Sequence, residues 1–320
     1  MGLTTKKGAS SALMLVGFIV AIIIIIEVLP YASEALGIFS PPQPAGLQVT
    51  QGVAVYSIDT PSSVSPSTNF NVNFLVKNNI NGKPASNLKL CLDNLGLFKL
   101  VTSPNMQGGQ PQQCTIISTL FTGGSLPEYF TLLAPSNSYY ANIPYTPNLG
   151  YFLDYSYSAS AAQSLEFVSQ TAYSSNNYPA PSYGSFDNTA GPISITTTAT
   201  QPAIYNTAMN LQLNLANVGN GIVLGQVQVT VSINPSVLSM SQGSLGLTQL
   251  NSTTFRGNFS LGVSGLTLTL PLTLNSTRQS AALSAGVPYL SSNVHVAISY
   301  TYEIDGYFPV SLNVQKYFVQ

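Results

Sequence analysis

Phe70-Asn-Val-Asn-Phe-Leu-Val-Lys-Asn-Asn-Ile-Asn-Gly82 alternates apolar and polar residues and then reaches Asn-Gly, a turn pair. Period-two alternation puts one face of a strand in a core and the other in water, which suits antiparallel sheets. The pattern returns at Met209-Asn-Leu-Gln-Leu-Asn-Leu-Ala-Asn-Val-Gly-Asn-Gly221, displaced by 139 residues without a gap. The same displacement carries Leu88, Leu90 and Leu92 onto Val227, Val229 and Val231, so a second alternating strand follows the turn in each copy. Two strands and a turn sharing one displacement predict an internal duplication. Each copy holds several short strands separated by turn residues, so the expected fold is all-β, two tandem antiparallel β-sandwiches.

Working outward, the Thr60-Pro-Ser-Ser-Val-Ser-Pro66 turn has a looser counterpart at Gln201-Pro202. Downstream, Phe152-Leu-Asp-Tyr-Ser-Tyr157 echoes Ala297-Ile-Ser-Tyr-Thr-Tyr302 with a few residues inserted. Gly191-Pro192 marks the boundary, which gives one sandwich over 47–192 and a second over 193–320. In the second, Leu261 to Leu274 alternates strictly from Leu266 to Leu270, and Pro271 then predicts an edge strand or bulge because it lacks a ladder donor. Glu303-Ile-Asp-Gly-Tyr307 reads as a hairpin turning at Asp305-Gly306, and the chain is expected to finish in a strand from Val310 to Val319.

The segments Val64 to Asn79 with Ala85 to Leu92, and Asn210 to Gly221 with Val227 to Ile233, resemble the immunoglobulin-like domains repeated in archaeal cell-surface and virion proteins, the CARDB-like type. The resemblance implies two Ig-like sandwiches with adhesion, spacing or assembly roles, and it brings no catalytic residues. Antibody-type packing is not implied, because the chain has no tryptophan and Cys91 and Cys114 are too close for the usual intersheet bridge.

Ahead of the sandwiches, Ala9 to Leu29 carries no charge or proline as far as Ile26. A helix over this stretch reaches roughly 31 Å, a bilayer's hydrocarbon thickness. Such a segment is apolar on every face and belongs in lipid. Lys6 and Lys7 precede it and no basic residue follows before Lys77, so the N-terminus is expected inside and the bulk outside. The expected order is a cytoplasmic stub over 1–8, a transmembrane helix over 9–29 and a proline-rich stalk over 30–46, stiffened by Pro41, Pro42 and Pro44. A cleaved signal peptide is the alternative, with Ser33-Glu34-Ala35 as an imperfect cleavage site. Lys6-Lys7-Gly8-Ala9-Ser10 also resembles the leader of archaeal type IV pilin-like proteins, which are cut after a glycine. That likeness implies a helix serving as a filament core or a membrane anchor.

Only 6% of residues are charged, against about a quarter in ordinary globular chains. With so few carboxylates to protonate, stability is expected to change little in acid, which fits an exterior exposed to low pH. A net charge of −1 and nine scattered basic residues give no handle for nucleic acid. Cys91 and Cys114 in an exported chain predict one disulfide, the alternative being two buried thiols.

Nine of the eighteen tyrosines fall between Tyr139 and Tyr183, among Pro, Ser, Asn and Gly. Tyr139, Tyr140, Tyr145, Tyr173, Tyr178 and Tyr183 are candidates for a contact surface, with packing onto their own sandwich as the alternative. Asn251, Asn258 and Asn275 head Asn-x-Ser/Thr sequons and are candidates for glycan attachment.

Nothing assembles a catalytic set. His295 sits in an alternating run, Glu303 and Asp305 read as arms of a turn rather than cation ligands, and Gly123-Gly124 reads as a turn. No enzyme activity, cofactor or metal is expected. The expected partners are a lipid bilayer, surface-lattice or capsid proteins, and further copies of the chain, but not nucleic acid. The expected function is a single-pass outer-surface protein linking a membrane to a lattice, either an archaeal envelope or the capsid of a membrane-containing virus. A glycan- or protein-binding adhesin and a pilin-like filament subunit are the alternatives.

Overall fold

The computed structural model describes residues 52–80, 83–136, 145–178, 185–186, 191–240 and 246–313. The stub, the expected membrane helix over 9–29, the stalk and the Asn81-Gly82 turn lie outside the described residues. Among the described residues no helix is long and apolar enough to cross a membrane.

The first repeat supplies β1 (Val53–Asp59), β2 (Ser63–Val64), β3 (Asn69–Asn78), β4 (Ala85–Asp93) and β5 (Lys99–Thr102). A small hairpin of β6 (Met106–Gln107) and β7 (Gln110–Pro111) follows, then β8 (Cys114–Leu120), β9 (Ser125–Leu133) and the long β10 (Asn148–Val168). A short helix, α1 (Gln170–Ser174), and β11 (Ser185–Phe186) lead to the second repeat. There β12 (Ile193–Ala199), β13 (Ala203–Ile204), β14 (Met209–Asn217), β15 (Ile222–Ile233) and β16 (Leu238–Met240) precede β17 (Thr248–Gln249), β18 (Thr254–Phe259) and β19 (Leu266–Leu274). Helix α2 (Ser276–Ser284), the long β20 (Tyr289–Pro309) and β21 (Ser311–Leu312) complete the described chain.

The predicted alternation is the one observed. Phe70, Val72, Phe74 and Val76 of β3 are buried, as are Met209, Leu211, Leu213 and Leu215 of β14. Burying each such side chain contributes roughly 1.5–3 kcal/mol before chain entropy is charged against it. The order β1-β3-β9-β5 in one four-stranded sheet is repeated by β12-β14-β19-β16 in another. Leu90 of β4 pairs with Leu153 of β10, and Val229 of β15 pairs with Ile298 of β20. The first members are 139 residues apart and the second 145, so the insertion read between the copies is six residues at this point.

The expectation of two separate sandwiches in tandem is corrected by a third sheet, which runs through both repeats in the order β17-β18-β15-β20-β10-β4-β8. Its centre is an antiparallel pair, β10 with β20, in unbroken register from Asn148 opposite Pro309 to Val168 opposite Tyr289. The front half of β10 pairs with β4 of its own repeat. Its far half serves the other repeat: it pairs in parallel with β13, Gln163 Oε1 accepts from Thr197 Oγ1 at 3.0 Å, and Val168 O accepts the Tyr205 N–H at 2.8 Å. The exchange is reciprocal. The end of β20 brings Phe308 to 5.9 Å from Phe74 of β3, and β21 pairs in parallel with β2. Each repeat thus completes itself with the far end of the other's long strand.

Asp305-Gly306 is therefore not a hairpin turn. Both residues lie inside β20, opposite Phe152 and Tyr151 of β10. The apolar alternation continues past them through buried Ile304 and Phe308, and ladder bonds to the other repeat override the local turn preference. Glycine suits the position for another reason: a Cβ there would stand 2.5 Å from the Tyr151 hydroxyl. Pro271 lies within β19 opposite Asn210, while β16 on the other side reaches only to Leu272. It thus sits where one side of the strand has no paired neighbour among the described residues. Of the expected C-terminal strand, β21 is seen, and residues 314–320 are outside the described set.

Candidate functional site

The repeats meet at four buried tyrosines. Tyr155 pairs with Tyr302 and Tyr157 with Tyr300, on either side of the Ser156–Thr301 pair, so exchanging the repeats maps one tyrosine pair onto the other. Ring centroids are 5.8 Å apart for Tyr155–Tyr302, 6.0 Å for Tyr157–Tyr300 and 6.3 Å for Tyr300–Tyr302. The hydroxyls are used in a matched way. Tyr155 accepts the Val53 N–H and Tyr300 the Ile193 N–H, each at 3.3 Å, and those donors open β1 and β12. Tyr302 accepts the Gly221 N–H at 2.8 Å and donates to Asn217 Oδ1 at 2.8 Å. Burial pushes the Tyr157 hydroxyl up to about 12 and raises those of Tyr155, Tyr300 and Tyr302 as well.

The asparagines that close the matched strands are also equivalent. Asn78 Oδ1 accepts the Ile80 N–H at 3.0 Å and Asn217 Oδ1 the Gly219 N–H at 3.1 Å, the two-residue Asx pattern. Sequence reading found the Phe152–Tyr157 echo but not its pairing partner. The signal available was tyrosine at two alternate positions in both copies, within runs too apolar to face water.

Of the six tyrosines expected at a contact surface, Tyr145 turns inward. It stacks on Phe98 at 6.4 Å between centroids, and its carbonyl accepts the Leu312 N–H at 2.8 Å. Tyr173, on α1 and 45% exposed, stacks on Tyr178 at 6.2 Å with rings within 3° of parallel. Tyr139, Tyr140 and Tyr183 lie outside the described residues. Cys91 and Cys114 are disulfide-bonded across the β4–β8 pair, which excludes free thiols. Asn251 and Asn258 are exposed, whereas Asn275 caps α2. Gly123 lies in a turn between β8 and β9, with Gly124 following it.

On the outer face of the shared sheet, one row crosses five strands: Ile116, Lys89, Asp154, Glu303 and Ile222. Lys89 also stands 5.5 Å over the Phe152 ring. Burial, and then the adjacent Asp154 carboxyl, raise Glu303 above the ordinary carboxylate value, while Lys89 opposes the shift. Glu128 of β9 is raised by burial against a lowering bond from Thr115. Glu303 and Asp305 do share a strand face, as members of β20 rather than as arms of a turn. His295 is exposed between Ala162 and Ser232. Among the described residues no three His, Cys, Asp or Glu side chains gather as a metal-ion site.

No family model matches the chain, and no curated protein matches it. Among solved structures, the chain has weak similarity to the following two. The native conformation of E. coli alpha-2-macroglobulin shares 12% identity at a TM-score of 0.19, over 83% of this chain and 17% of that one. The B domain of a biofilm-associated protein shares 8% identity at a TM-score of 0.17, over 82% of this chain and 85% of that one. Likeness at this level supplies no argument.

Proposed function

We propose that this chain is a membrane-anchored structural protein of an outer surface, linking a bilayer to a lattice of envelope or capsid proteins. The observation that carries the reading is the reciprocal exchange of strand ends, which joins the two halves through one continuous sheet. Each half faces a four-stranded layer against part of the shared sheet, the division expected of an Ig-like sandwich. The low charge and the raised carboxyls of Glu128 and Glu303 suit an acidic exterior, as on acid-dwelling archaea or their membrane-containing viruses. The segment over 9–29 anchors the chain in the bilayer, with the N-terminus inside. Lattice proteins and further copies of the chain are the partners, and no step of chemistry is assigned.

A second reading, an adhesin that takes a saccharide, is favoured by exposed Tyr173, whose ring stacks parallel to that of half-buried Tyr178. Fractionation and labelled antibody on intact cells or particles test the first reading. The expected result is surface labelling and release only by detergent. Recovery in a soluble fraction with the first thirty residues intact overturns it. A saccharide array decides the second: specific binding lost in Tyr173→Ala supports the adhesin, and no binding removes it.

A further inference from the structure

The three sequons are not equivalent in structure, and we infer that Asn251 is the attachment site for an N-linked saccharide and Asn275 is not. This rests on the outward placement proposed above. Asn251-Ser-Thr253 is the turn between β17 and β18, where Leu250 N–H and Asn251 N–H both reach Thr254 O. All three sequon residues are exposed. Asn251 Oδ1 accepts two hydrogen bonds from the sequon threonine, from Thr253 N–H at 2.9 Å and from Thr253 Oγ1 at 2.8 Å. The fold thus presents the sequon as a closed Asx turn with its hydroxyl engaged.

That geometry bears on the chemistry. An amide nitrogen is a poor nucleophile because its lone pair is delocalised into the carbonyl. Two donors on Oδ1 polarise the amide and make an Nδ2 proton easier to remove. They also hold the side chain in one orientation, leaving Nδ2 without a partner among the described residues. The co-reactant is a lipid-linked saccharide pyrophosphate together with its membrane transferase. Nδ2 bonds to the anomeric carbon, the bond from that carbon to the phosphate oxygen breaks, the electron pair leaves with the lipid pyrophosphate, and one Nδ2 proton passes to a base on the transferase.

The other two sequons are held differently. Asn275 Oδ1 is occupied by the N–H groups of Thr277 and Arg278 as the cap of α2, and its Nδ2 donates to Pro235 O at 3.1 Å, so the reacting nitrogen faces the protein. Asn258 is exposed but sits in β18, paired with Gln228. Ser260 follows the last residue of β18, and among the described residues it makes no hydrogen bond to Asn258 of the kind Thr253 makes to Asn251.

The test is peptide mass spectrometry on the full-length protein from its native source, compared with the Thr253→Val and Asn275→Gln variants expressed there. The expected result is a saccharide mass on Asn251, lost in Thr253→Val and unchanged in Asn275→Gln. A bare Asn251 in protein recovered from the envelope overturns the assignment, as does a saccharide on Asn275 instead. Three bare asparagines in protein recovered from the cytosol overturn the outward placement itself.

Discussion

The two repeats share a plan of strands and differ in what they show to the outside. The first carries the disulfide on β4 and β8, the exposed apolar side chains Ile116, Phe121, Tyr56 and Tyr129, and Lys77 over the Tyr56 ring at 5.1 Å. The second also exposes apolar side chains, Ile222, Val263 and Tyr307 among them, but it has no cysteine; it carries Arg256 on β18 and His295, Glu303 and Asp305 on β20, and it holds all three sequons. Inside, Phe74 becomes Leu213 and Val72 becomes Leu211, changes of size within one pattern. Packing a shared core constrains the inward row of each strand, while the outward row is free to specialise.

The largest effect is expected in alkali, and it should erase the difference between the halves, because each contributes two of the four central tyrosines. Burial raises all four, so the fold holds protons that the unfolded chain releases near the ordinary tyrosine value of about 10. Their contribution is full below that pH and drains away as pH rises through the folded values. Circular dichroism and phenolate absorbance followed together should show unfolding and ionisation as one cooperative event above about pH 10; ionisation with the sheet intact would contradict the buried cluster.

Next in size, Gly221→Ala would place a Cβ 1.9 Å from the Glu303 carbonyl oxygen. Cost of overpacking against backbone is put at about 3 kcal/mol or more. The mutation lies in the second repeat, yet the shared sheet predicts that hydrogen exchange in β3 rises along with that in β14. Faster exchange confined to the second repeat would restore the picture of two independent beads.

Removing the disulfide sharpens the contrast. It joins residues 23 apart in sequence, and the chain-entropy model gives about 3 kcal/mol for a loop of that size. Melting of Cys91→Ala/Cys114→Ala should drop accordingly, with no counterpart to remove in the second repeat. A smaller loss, about 1–3 kcal/mol, is expected for Tyr302→Phe, which strands the Gly221 N–H and leaves Asn217 Oδ1 with the Gly219 N–H alone. Chemical denaturation should show it exceeding Tyr155→Phe, whose single bond is 3.3 Å long.

The smallest effect concerns acid. Glu303 is raised in the fold, so its contribution is present below the ordinary glutamate value and weakens as pH rises through the folded one. Glu303→Gln should therefore change stability at neutral pH and leave it unaltered near pH 3. Loss of stability at pH 3 in the unmodified protein would remove the argument for an acidic exterior.

Much of this architecture was legible in residues 70–82 and 209–221, because alternation and displacement are properties of the chain itself. The disulfide was legible for the same reason: two cysteines leave one pairing. The exchange of strand ends was not. Residues 303–307 contain a good local turn, and only Tyr151 opposite Gly306, 155 positions away, turns that preference into a straight strand. Tyrosine composition does not say which rings face in: Tyr145 and Tyr173 come from one compositional cluster, yet Tyr145 packs on Phe98 and Tyr173 is exposed.

A protein of separate beads lengthens under tension by giving way one bead at a time, and each rupture shields what is attached beyond it. A chain whose two central strands are stitched together over twenty-one residues has no such graded response. Under the linking role proposed above, it is expected to hold its length until the seam fails and then to yield both halves at once, as a fixed spacer rather than a shock absorber.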